Sequence, residues 1–129
     1  MDLEVLLQYA LPENIDLSGI APNAGYIIQR GIIFVSRRST LAEQVTTLLH
    51  EIIHLAPPFR AYTESLWSGS GTRDEYIESQ IEVAAQEAYR TRPDIVRIIE
   101  EILALASLDP RNKPEKERIR ELKARYGLH

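Results

Sequence analysis

Apolar positions recur at helical spacing in five stretches of the chain and form strand-like runs in one. Leu3, Leu6, Leu7 and Ala10 predict a helix over residues 2–11, ended by Pro12. Residues 14–23, mixing Asn, Asp, Ser, Gly and Pro, read as loop. Tyr26-Ile27-Ile28 and Ile32-Ile33-Phe34-Val35 are β-branched or aromatic and flank Arg30-Gly31. They predict a β-hairpin, or one strand kinked at Gly31. Thr40-Leu41-Ala42-Glu43 has the pattern of a capping box. The helix it opens carries the stripe Leu41, Val45, Leu48, Leu49, Ile52 and Ala56. It stops before Pro57-Pro58, because a proline drives the preceding residue out of the helical region.

Residues 59–73 contain Ser68-Gly69-Ser70-Gly71 and read as a long flexible loop. A second long helix is predicted over 74–90, with Ile77, Ile81, Ala84 and Ala88 facing inward. Pro93 suits the first turn of a third helix that runs to about residue 107, before Asp109-Pro110. Pro114 starts a last helix that Gly127 ends. These elements predict a single α+β domain over 1–129, with a small sheet or hairpin and four to five helices. Its core would span roughly 25–107, with a basic C-terminal helix over 114–126.

Composition narrows the class. With 129 residues, 44% hydrophobic and 26% charged, the chain suits one folded domain rather than a disordered segment. The absence of cysteine excludes a disulfide framework and thiolate ligands, so any metal must be held by His, Asp or Glu. No apolar run is long enough to span a bilayer, and the acidic start Met1-Asp2-Leu3-Glu4 lacks the basic region of a signal peptide. A cytoplasmic protein is therefore expected. The net charge of −4 argues against a nucleic-acid binder. Residues 111–125 hold seven basic side chains against Glu115, Glu117 and Glu121, which reads as a solvated helix laced with i,i+4 pairs.

One motif has a sharp chemical meaning. Of three histidines, two fall in His50-Glu51-Ile52-Ile53-His54. Histidines at i and i+4 project from one side of a helix and can reach one zinc ion. Glu51 is offset from that line, where it can act as general base rather than ligand. A catalytic zinc takes three protein ligands and keeps one position open. Pro57 and Arg60 stand where a metzincin needs its glycine and third histidine, which excludes that class. His129 is terminal, so the third ligand should be a carboxylate on a later helix. Glu75, Glu78, Glu82 and Tyr89 lie roughly along one face of the second long helix. Glu82, beside the apolar stripe, is the favoured ligand and Glu78 its rival. Gln86, one turn on, could hydrogen-bond a ligand. Tyr89 and Tyr76 are candidates for stabilising an oxyanion, and Tyr62 and Arg73 lie in the loop nearby.

A strand ending at Ser36, the helix Thr47-Leu48-Leu49-His50-Glu51-Ile52-Ile53-His54-Leu55 and the later Glu82-Val83-Ala84-Ala85-Gln86 together resemble the ImmA/IrrE-like metallopeptidases and related minimal gluzincins. The resemblance covers roughly residues 25–90. It implies a zincin-like fold, a zinc cofactor and cleavage of a protein or peptide substrate. In that pattern Glu82, with Ala85 and then Gln86 in place of Asn or Asp, supplies the third ligand at a similar separation from His54. Two other readings stay open: a zinc-stabilised binding module without catalysis, and a latent protease whose C-terminal segment covers the cleft. An edge strand near 32–35 could also pair with an extended substrate.

Overall fold

The computed structural model describes residues 1–17, 25–27, 32–106 and 113–128. The elements are helix α1 (Leu3–Leu6), strands β1 (Ile15–Asp16), β2 (Gly25–Ile27) and β3 (Ile32–Phe34), and helices α2 (Leu41–Ile53), α3 (Pro57–Trp67), α4 (Glu75–Thr91), α5 (Pro93–Ala106) and α6 (Lys113–Tyr126). A short 3-10 turn at Leu7–Tyr9 takes the place of the second half of the expected N-terminal helix, and another follows at Pro12–Asn14. The architecture is mostly helical with a small mixed sheet, compatible with α+β. The Arg30-Gly31 turn, Asp109-Pro110 and His129 lie outside the described residues, as does most of the stretch read as loop before β2. Among the described residues no helix is long and apolar enough to cross a membrane.

β3 is the middle strand. It pairs antiparallel with β2, Tyr26 opposite Ile33, and parallel with β1, Ile15 opposite Ile33. The hairpin reading of 25–36 therefore matches the pairing. The proposed substrate edge does not, because Ile32–Phe34 has a neighbour on both sides. The edges are β1 and β2.

The capping box opens α2 as the sequence suggests: Thr40 Oγ1 accepts from Glu43 N at 3.2 Å, and Glu43 Oε1 accepts from Thr40 N at 3.4 Å. Val45, Leu48, Leu49, Ile52 and Ile53 are buried along the helix, while Leu41 in its first turn is exposed. α2 ends at Ile53 rather than at Ala56, and Ala56 is already the extended cap of α3. Here the sequence reading is corrected. Pro57 and Pro58 end one helix but also begin the next, since the first turn of a helix has no use for the N–H that proline lacks. Residues 59–67 of the stretch read as loop are therefore helical, as part of α3.

Asp74 caps α4 by accepting from Tyr76 N at 2.9 Å and Ile77 N at 3.3 Å. The buried line on α4 is Ile81, Ala85 and Ala88, so Ala85 replaces Ala84 in the expected stripe. These alanines let α4 lie along α2, the most extensive helix contact in the described fold. Ile95, Ile99, Ile102 and Leu103 of α5 close the core beneath both. α6 rests on α5 through the buried Leu122 and through Tyr126, whose hydroxyl donates to Glu101 Oε2 at 2.9 Å. Gly127, at φ +67, turns the chain so that Leu128 N reaches Lys123 O at 2.8 Å.

If the α2–α4 contact organises the domain, Ile81→Ala should lower unfolding free energy in urea by about 2–5 kcal/mol, as deletion of a fully buried side chain does. Val83→Ala, on the exposed side of the same helix, should change it by less than about 0.5 kcal/mol.

Candidate metal centre

His50 and His54 sit one turn apart near the end of α2, and their rings lie 5.1 Å apart. His54 is buried and His50 half-buried. α4 crosses above them and presents Glu78 and Glu82, while α3 packs behind and presents Tyr62 and Thr63.

Hydrogen bonds fix the tautomer of each imidazole. Thr63 Oγ1 has one proton and two carbonyls to give it to, His54 O at 2.7 Å and Phe59 O at 2.9 Å. A carbonyl cannot donate, so the hydroxyl must accept from His54 Nδ1 at 3.2 Å, and Nδ1 carries the hydrogen. His50 Nδ1 likewise donates to Glu82 Oε2 at 2.7 Å. In neutral rings both Nε2 atoms are then lone pairs.

Those lone pairs meet at Glu78. Its Oε2 lies 3.3 Å from His50 Nε2 and 3.2 Å from His54 Nε2, and one ligand atom from each of the three residues lies within 4.8 Å of the others. With both rings neutral the shared point is lined by three acceptors, which a cation would satisfy; a protonated ring would instead donate from Nε2 to Glu78. A tetrahedral ion bound at about 2.0–2.1 Å would hold its ligands roughly 3.3 Å apart. The two separations from Glu78 Oε2 match that spacing, so this group could hold a metal ion, and two imidazoles with a carboxylate would suit zinc among the common ions.

Ionisation supports the same picture. Burial pushes the His54 pKa down, against the pull of Glu78, which keeps the ring neutral and free to bind a metal. Burial would raise the Glu78 carboxyl, but the Tyr62 hydrogen bond, the charge that His54 carries when protonated and Arg73 outweigh it and hold the group below its ordinary value. Burial is likewise outweighed at Glu82, by hydrogen bonds from Gln86 and His50. Both carboxylates are ionised at neutral pH.

The roles of the two glutamates differ from the expectation. Glu78, not Glu82, stands between the histidines; its side chain is 17% exposed and that of Glu82 49%. The reason is angular. Glu78 and Ala85, seven residues apart, point within about 20° of each other, whereas Glu82 is turned about 60° from Ala85. The inward line is therefore 78, 81, 85, 88. Glu82 instead holds the far nitrogen of His50 and accepts from Gln86 Nε2 at 2.9 Å. Tyr76 is 70% exposed and Tyr89 is also exposed. The tyrosine that meets the cluster is Tyr62, whose hydroxyl donates to Glu78 Oε1 at 2.8 Å. Thr63 is absent from the sequence reading because Ser68-Gly69-Ser70-Gly71 marks the stretch as loop; Pro57-Pro58, suited to a first helical turn, is the signal that could have placed it on a helix. Glu51, next to His50 on α2, is half-buried.

Searches against protein families, characterised proteins and solved structures gave no match.

Thr63→Val keeps the shape but leaves His54 Nδ1–H without its acceptor. It should destabilise the metal-free protein by about 1–3 kcal/mol in denaturant titration, the usual cost of a buried polar group left unpaired, while Thr63→Ser should cost much less.

Proposed function

We propose that this chain is a zinc-dependent peptidase in which His50, His54 and Glu78 hold the ion and Glu51 is the general base. The observation that carries the reading is the convergence of two imidazole lone pairs on one carboxylate oxygen at distances suited to a tetrahedral ion. The resemblance of His50-Glu51-Ile52-Ile53-His54 and its surroundings to ImmA/IrrE-like metallopeptidases supports a protein or peptide substrate. The geometry favours Glu78 over Glu82 as third ligand. Glu82, backed by Gln86, would then orient His50, and Thr63 would orient His54, so that both imidazoles offer Nε2.

His50, His54 and Glu78 would hold the zinc, whose chemistry there would be Lewis acidity toward the scissile carbonyl and a lowered pKa for the attacking water. Glu51 follows His50 directly, which on a helix turns it about 100° away from its neighbour, so it cannot share the point where the histidines meet. Its carboxylate would take the proton of the attacking water and return it to the leaving amine. A latent form closed by the C-terminal segment gains no support from α6, which rests on α5 and Glu101.

Elemental analysis should find one zinc per chain, reduced to background in His54→Ala. Competition with a chelator should show Glu78→Gln losing affinity by several orders of magnitude. Glu82→Gln should lose about 10–100-fold, the scale of an outer partner. Acidification should release the ion, because protons compete for Nε2 and for Glu78.

Glu51→Gln should retain zinc and thermal stability while hydrolysis of an unfolded protein substrate falls by roughly 100-fold or more. A binding module without catalysis predicts no hydrolysis in either form, and equal rates in both would contradict the role given to Glu51.

A further inference from the structure

We infer that Tyr62 fixes the number of oxygens that Glu78 can give to the metal, holding one and leaving one, and so keeps a coordination position open for the reacting molecule. The inference rests on the metal-site reading above. A carboxylate beside a divalent ion can bind through one oxygen or chelate through both; with a water also bound, chelation would make the ion five-coordinate and fill the fifth position that the reacting molecule would enter. Glu78 Oε2 is the atom between the histidines. Its partner Oε1 accepts from the Tyr62 hydroxyl at 2.8 Å.

That hydrogen bond has a fixed direction. The only other polar contact described for the Tyr62 hydroxyl is Asp74 N at 3.3 Å, which can only donate, so the phenolic proton is committed to Glu78. The ring is also held in place. It stacks on His54 with centroids 6.2 Å apart and planes 21° apart, and the next residue, Thr63, ties α3 to His54 O at 2.7 Å. Arg73 approaches the same oxygen at 3.7 Å, but its side chain is 79% exposed, and a solvated guanidinium positions little. Tyr62 is thus a positioning residue, acting through Glu78.

Cobalt(II) loaded into the full chain tests this, because a four-coordinate ion absorbs visible light far more strongly than a five-coordinate one. The wild type should show intense bands. Tyr62→Phe keeps the ring and the stack but removes the proton. It should bind one equivalent and lose roughly half or more of that absorption as Glu78 closes onto the ion through both oxygens. Unchanged bands in Tyr62→Phe, even with weaker binding, would make Tyr62 a simple strut and overturn the inference. A weak, five-coordinate spectrum in the wild type would overturn it without any variant. Failure of the wild type to take up cobalt would instead contradict the metal site itself.

Discussion

Everything at the candidate site depends on how closely α4 lies on α2. The histidines belong to one helix and the glutamates to the other, and the two can meet only because Ala85 and Ala88 occupy the contact where larger side chains would hold the helices apart. Glu78 is on the same inward line as these alanines, so the packing that buries Ala85 also carries the Glu78 carboxylate to the imidazoles. α3 completes the arrangement from behind. Its consecutive Tyr62 and Thr63 each hold one member of the cluster, the first by the outer oxygen of Glu78 and the second by Nδ1 of His54.

The cluster is a polar spot against an apolar core. Leu48, Leu49, Ile52, Ile81, Ile95, Ile99 and Ile102 are fully buried and apolar, whereas His50, His54, Glu78 and Glu82 meet through side-chain nitrogens and oxygens. Among the described residues no buried side-chain nitrogen or oxygen lacks a hydrogen-bond partner, and at His54 the partners are Thr63 and Glu78. Ionisable groups gathered in this way, with the His54 pKa pushed down by burial, mark a candidate functional site.

Much of this was legible in the chain. The His50–His54 pair, the capping box at Thr40, the hairpin over 25–36 and the stop at Gly127 each depend on residues within a few positions of one another, and local spacing suffices to read them. What could not be read depends on choices between near-equal local patterns. On α4, stripes through Ala84 and through Ala85 are equally apolar, and only the partner helix decides which one faces inward. That single ambiguity decides which of Glu78 and Glu82 stands between the histidines. Pro57-Pro58 fits both the end of a helix and the start of one, so α3 and with it Tyr62 and Thr63 went unseen. The parallel strand β1 is two residues long, too short for alternation to show.

The central claim is that both histidines carry hydrogen on Nδ1 and offer Nε2 to one shared point. Long-range proton–nitrogen correlation spectra of the uniformly labelled chain read this directly, since protonated and lone-pair ring nitrogens differ widely in chemical shift. At neutral pH without metal, His50 and His54 should both show the Nδ1–H tautomer. On adding one equivalent of zinc, both Nε2 signals should move while both Nδ1 signals remain those of protonated nitrogens. A hydrogen on Nε2 of either ring, or zinc that shifts Nδ1 in place of Nε2, would contradict the account.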